Sequence, residues 1–128
     1  MRLSILTAFT FICCKLQAQK SVLDSLVGIW KGTSLCQVKN SPCHDEIVVF
    51  HITKGKTADS CNILANKLVN DAEEEMGTLG CRIDKANNEL TSSSHDAQWT
   101  FKLSNGKLEG TLIYHGNLYR IIEVSRVK

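Results

Sequence analysis

The stretch Gln98-Trp99-Thr100-Phe101-Lys102-Leu103-Ser104-Asn105-Gly106 decides the fold of this chain. Apolar and polar residues alternate along it, which is the two-residue period of a β-strand with one buried face. Asn105-Gly106 favours a two-residue type I′ turn, because both turn positions need a positive φ. Such a turn places three pairs on one face of a hairpin, namely Leu103 with Leu108, Phe101 with Gly110 and Trp99 with Leu112.

The same alternation continues through most of the chain and predicts about eight short strands. We expect strands at 28–37, 46–54, 60–68, 76–83, 89–93, 98–104, 107–114 and 118–124. The strand at 89–93 has the weakest pattern, because its serines bury little apolar area. A short helical turn over 22–27, capped by Ser21, precedes the first strand and can plug one end of the fold.

These elements predict an all-β fold, a small eight-stranded antiparallel up-and-down barrel with a short N-terminal helical turn. Sequential strands with short connections favour a barrel, because closure removes exposed strand edges. A two-sheet sandwich is the alternative.

Two strands have an undecided register. Residues 47–50 are apolar on both faces. After the turn at 115–117, a two-residue loop would point Tyr119 and Ile121 inward, whereas a three-residue loop would point Leu118, Arg120 and Ile122 inward.

Residues 1–18 resemble a cleavable signal peptide. Met1-Arg2 is a short positive start, 3–14 is an apolar run, and Ala18 is the small residue that a signal peptidase requires. We therefore expect an exported protein, periplasmic or secreted, whose domain is 19–128. The apolar run is short for a membrane span, so no transmembrane segment is expected. A retained anchor and lipidation at Cys13 or Cys14 are alternatives.

Charge argues against two classes of partner. The chain has 15 Lys and Arg against 13 Asp and Glu, and the predicted signal contains Arg2 and Lys15 but no acidic residue. The remaining domain is thus close to neutral with its histidines uncharged. A neutral surface has little attraction for nucleic acid or for anionic lipid.

Four cysteines remain in the predicted domain, which suits disulfide formation in an oxidising compartment. Three pairings are possible. A hairpin centred on Asp71 would place Cys61 opposite Cys81, with Ile63 facing Leu79 and Ala65 facing Gly77. We therefore expect two structural disulfides, Cys61 with Cys81 and Cys36 with Cys43.

The triplet Gly28-Ile29-Trp30, a preceding helical turn and an eight-strand meander resemble the lipocalin and wider calycin pattern. Residues 28–53 and 118–123 more closely resemble short exported bacterial lipocalin-like proteins without a known function. The resemblance implies that Trp30 packs at the closed end, under a basic residue late in the chain. Arg120 matches that role best by position, and Arg126 is second. The chain lacks the long entrance loops and final helix of usual lipocalins.

Chemical motifs in the chain have simpler explanations than catalysis or metal binding. A zinc cluster could be read from Cys36, Cys43, His44 and Asp45, but a disulfide beside an exposed loop fits export better. Residues 94–96 spell Ser-His-Asp, yet three neighbours on one backbone cannot converge as a catalytic triad. We expect no enzyme activity, no metal and no cofactor.

The sequence therefore predicts a monomeric, non-catalytic binder of a small hydrophobic or amphiphilic ligand. A protein-binding module, such as an exported enzyme inhibitor, is the alternative, and its partner would be an unknown protein. The residues expected to line a ligand site are Trp30, Phe50, Ile63, Leu79, Trp99, Phe101 and Leu112.

Overall fold

The computed structural model describes residues 21–128 and shows one short helix and eight antiparallel strands closed into a barrel. The predicted signal peptide lies outside the described residues. The elements are α1 (Val22–Leu26), β1 (Gly28–Cys36), β2 (Glu46–Lys54), β3 (Ser60–Val69), β4 (Ala72–Asp84), β5 (Glu89–Ser94), β6 (Ala97–Ser104), β7 (Lys107–Tyr114) and β8 (Asn117–Arg126). The predicted fold class is confirmed.

The barrel closes because β1 pairs with β2 on one side and with β8 on the other. Trp30 lies opposite Phe50 in the first ladder and opposite Arg126 in the second. Every strand thus has two neighbours, and the sandwich alternative is not formed.

Helix α1 covers the end of the barrel next to Trp30. Ser21 caps it, since its hydroxyl accepts a hydrogen bond of 3.1 Å from the Asp24 amide. Leu26 is buried, and its carbonyl accepts a hydrogen bond of 2.8 Å from Trp30 Nε1. The indole is only 1% exposed, so this bond satisfies its one polar group inside the core.

The cation over Trp30 is Arg126, and the expectation that Arg120 takes this role is wrong. The guanidinium carbon of Arg126 lies 5.9 Å from the centroid of the Trp30 ring, and the same group donates to the carbonyls of Ser25 and Val27. Arg120 lies opposite Cys36, at the far end of β1, and stacks on Tyr119 instead. Register decides the choice, because only Arg126 is level with Trp30.

Strand pairing determines which side chains of β2 and β8 face inward, which the sequence left open. In β2, Val48, Phe50 and Ile52 join the core. In β8, Tyr114 pairs with Asn117 across a two-residue turn, and a bulge near Leu112 then shifts the register so that Leu112 faces Arg120. Arg120 therefore points inward as a three-residue loop would require, although the turn itself has two residues.

The hairpin of β3 and β4 has the predicted register near its base. Cys61 faces Cys81, Ile63 faces Leu79 and Ala65 faces Gly77. The strand β4 begins earlier than expected, because Asn70 and Asp71 form the turn with positive φ. A bulge beyond Ala65 accommodates the longer ladder.

Of the two predicted disulfides, the structure contains Cys36–Cys43, whereas Cys61 and Cys81 are buried free thiols. Opposed register brings two side chains together, but a bond also needs matching side-chain rotamers and an oxidant. Here the thiols hydrogen-bond to each other, which raises the pKa of Cys81 and lowers that of Cys61. The expectation of a second disulfide is therefore not met in this structure.

Replacing Arg126 by methionine should destabilise the protein by about 1–2 kcal/mol, because two charge-assisted hydrogen bonds to α1 and the contact with Trp30 are lost. Urea unfolding followed by circular dichroism would measure the change. Arg82→Met on the exposed face of β4 is the matched control and should change stability by less than about 0.5 kcal/mol. Equal losses in both variants would contradict the role of Arg126.

The free thiols should form a disulfide when the reduced protein refolds in oxidised glutathione, because the two residues are in direct cross-strand register. Thiol titration of the domain 19–128 in denaturant should then find no free thiol, whereas Cys61→Ser in the same domain should retain the thiol of Cys81. Two thiols remaining after oxidative refolding of the unsubstituted protein would show that the pair is not positioned to bond.

Candidate functional site

A cavity of about 640 Å³ occupies the half of the barrel that lies away from α1. Its polar rim contains Ser34, Glu46 and Arg120, and its apolar wall contains Phe50 and Trp99. The other lining residues are Val48, Ala65, Met76, Gly77, Thr78, Leu79, Gly80, Ser92, Ser93, Ser94 and Leu112.

The cavity exists because small residues face inward in this half of the barrel. A Cβ built on Gly77 would meet nothing within 4 Å, so this position leaves free space. Gly110 behaves differently, since its Cβ would lie 2.3 Å from the buried ring of Phe101. Glycine thus makes room for solvent or ligand at one position and for an aromatic side chain at the other.

Phe50 separates the cavity from the packed core. Its ring meets Phe101 edge to face at a centroid distance of 5.9 Å, and Phe101 is fully buried. The other side of Phe50 lines the cavity. Phe50 therefore forms the floor on which a ligand would rest, and Phe101 supports its ring from below.

A lateral seam between β4 and β5 borders the same cavity. The two strands pair only at 82–84 with 89–91, although β4 pairs with β3 and β5 pairs with β6 along most of their length. The segments 77–80 and 92–94 therefore have no ladder between them, and both line the cavity. We call this gap, with its two bordering segments, the β4–β5 seam.

The charged pair of the cavity is Arg120 and Glu46, whose side chains are 13% and 21% exposed and lie 3.7 Å apart. Arg120 Nη1 also donates to Ser34 O at 3.1 Å, to Ser34 Oγ at 3.2 Å and to His44 O at 3.0 Å. The guanidinium is thus held by the protein itself.

The disulfide helps to position this pair. Cys36–Cys43 closes the loop between β1 and β2, and the amide of Cys36 donates to Asp45 Oδ1 at 2.8 Å. His44, one of the acceptors for Arg120, belongs to the same loop. The loop therefore contributes to the position of Arg120 through the carbonyl of His44.

Four of the seven residues expected to line a ligand site do line the cavity, namely Phe50, Leu79, Trp99 and Leu112. Trp30, Ile63 and Phe101 do not, because they are fully buried in the core below it. Sequence periodicity identifies inward-facing positions but not their height in the barrel.

Sequence reasoning missed the polar part of the site. Ser34, Glu46 and the serines 92–94 were not among the expected residues, and Arg120 was assigned to Trp30. The serine run on a weak strand was a usable signal, since a strand with little apolar area to bury suits the wall of a cavity. The position of Arg120 depended on the bulge in the β7–β8 ladder.

A second polar cluster lies on the outside of the barrel. His51 Nε2 and Glu73 Oε1 are 2.6 Å apart, and Asn66 Nδ2 donates to the same oxygen at 3.1 Å. These hydrogen bonds lower the pKa of Glu73. These hydrogen bonds join β2 to the β3–β4 hairpin. None of the three residues is a serine, threonine or cysteine that the histidine could activate as a nucleophile.

No protein-family model matches the chain, and no curated protein matches it in sequence. The closed eight-stranded architecture is consistent with a lipocalin-like fold. Within residues 21–128 there is no helix of the length and apolarity that crossing a membrane requires.

Proposed function

We propose that the protein is an exported, non-catalytic carrier or receptor for a small hydrophobic or amphiphilic molecule, which binds in the barrel cavity. The observation that supports this proposal best is the space left above Phe50. A volume of about 640 Å³ falls in the range of small-molecule pockets, which is roughly 300–1,000 Å³.

The composition of the wall also favours a hydrophobic ligand. Phe50, Leu79, Trp99 and Leu112 provide apolar surface on several strands, and a few polar groups stand at the rim. Ligand sites commonly combine such an apolar wall with a small number of placed polar groups. The same cavity favours ligand binding over the alternative of a protein inhibitor, which would need no internal space.

The polar residues of the cavity support binding without chemistry. Among the described residues that line it, Arg120 and Glu46 engage each other, and the remaining polar side chains are hydroxyls. None of these hydroxyls has a histidine or lysine beside it in the lining to act as a base. The disulfide Cys36–Cys43 supports export, because such bonds persist in oxidising compartments.

Filling the cavity should abolish ligand uptake. Ala65→Phe adds a ring that projects into the cavity, so binding of the neutral fluorescent probe N-phenyl-1-naphthylamine should weaken by about tenfold or more. Ile121→Phe adds a similar ring on the exposed face of β8 and should bind the probe normally. Saturable binding of equal strength in both variants would place the probe outside the barrel.

The two tryptophans should respond differently to a bound probe. Trp99 lines the cavity, whereas Trp30 is sealed beneath the core at 1% exposure. Quenching of intrinsic fluorescence should therefore persist in Trp30→Phe and be largely lost in Trp99→Phe, with probe emission reporting binding in both. Undiminished quenching in Trp99→Phe would contradict this placement.

A further inference from the structure

We propose that the ligand is a neutral amphiphile whose polar end is a hydrogen-bonding group, such as a hydroxyl or a primary amide, and that this end lies in the β4–β5 seam. The inference rests on the proposed function and specifies the chemical class of its ligand. It follows from the unpaired strand edges, the serine hydroxyls and the state of Arg120.

The seam offers hydrogen-bonding groups that the fold does not use in a ladder. Segments 77–80 and 92–94 each have a partner strand on one side only, so part of their backbone amides and carbonyls face the gap. Backbone polar groups that are removed from water need a partner. A ligand group that both donates and accepts hydrogen bonds would pair with the free amides and with the free carbonyls of these segments.

Serine side chains extend this polar surface into the cavity. Ser92 is only 7% exposed and hydrogen-bonds with the thiol of Cys81, and its hydroxyl has a further hydrogen-bonding capacity toward the cavity. Ser94 lies two residues further along the same face of β5, while Thr78 stands on the opposite border of the seam. Hydroxyls donate and accept, but they carry no charge. They suit a neutral polar group, whereas a carboxylate without a positive partner would lose much of its hydration free energy there.

The one guanidinium in the described lining is not free to supply that positive partner. Arg120 is 3.7 Å from Glu46 and donates from Nη1 to three oxygens of Ser34 and His44. A ligand carboxylate that approached Arg120 would also approach Glu46, and like charges at short range repel each other. The cavity thus combines a neutralised charge pair with uncharged donors and acceptors.

The arrangement also orients the ligand. The seam lies beside Leu79 and Trp99, and the wall then continues to Phe50 at the floor. An apolar tail directed along these side chains would be buried away from water, while the polar end of the ligand would remain at the seam.

The test is a displacement assay with ligands that differ only in their polar end. Dodecanamide, dodecanol and dodecanoate would compete with N-phenyl-1-naphthylamine for the mature protein at pH 8, where the acid is ionised. We expect dodecanamide and dodecanol to bind at least about tenfold more tightly than dodecanoate.

Glu46→Gln tests the role of charge directly. The substitution removes the negative partner of Arg120, so the affinity for dodecanoate should rise by about tenfold while that for dodecanamide changes by less than about twofold. Glu109→Gln removes the same charge from the exposed face of β7 and should leave both affinities unchanged.

A double variant tests the seam. Ser92→Ala with Ser94→Ala should lower the affinity for dodecanamide several-fold but keep the affinity for the hydrophobic probe, and thermal unfolding would verify that the barrel is intact. Unchanged affinity for dodecanamide in a folded double variant would overturn the placement of its polar end.

The outcomes separate this inference from the proposed function. If the probe does not bind the unsubstituted protein, the proposed function fails. If the probe binds but dodecanoate competes as well as dodecanamide or better, a neutral ligand is excluded and the proposed function stands. The comparison on the unsubstituted protein decides this even if Glu46→Gln does not fold.

Discussion

Closure of the sheet is the constraint on which the rest of the structure depends. Because β1 pairs with both β2 and β8, the eight strands enclose one interior, and every inward side chain must fit into it. Eight strands make a barrel whose interior is just wide enough to be filled by side chains or to hold one small ligand. The size of the inward-facing residues at each height along the barrel axis therefore decides whether the interior there is packed or left open as a cavity.

At the level of α1, large side chains fill the space. Trp30 and Phe101 are fully buried there, and Arg126 ties the last strand to the helix backbone. Further up, Ala65, Gly77 and Ser92 take the inward positions, and their small volumes leave the cavity. The filled half stabilises the barrel, so that the other half can remain open without loss of the fold.

The polar features of the open half follow from local departures from regular pairing. The bulge between β7 and β8 turns Arg120 inward, and the short ladder between β4 and β5 leaves the seam unpaired. The disulfide loop then holds Arg120 close to Glu46. Bulges and unpaired edges are common next to functional sites, because they direct side chains and backbone groups where a regular sheet would not.

The sequence by itself determined the closed all-β fold, the positions of the strands and the register around Cys61, because alternation and turn residues are local properties of the chain. It also identified four inward-facing residues that line the cavity, namely Phe50, Leu79, Trp99 and Leu112. Tertiary structure alone decided that Arg126 and not Arg120 meets Trp30 and that a seam opens beside the serines. Those outcomes depend on which residues are level with each other across strands distant in sequence, and the bulges that set these levels leave no clear mark on a single segment.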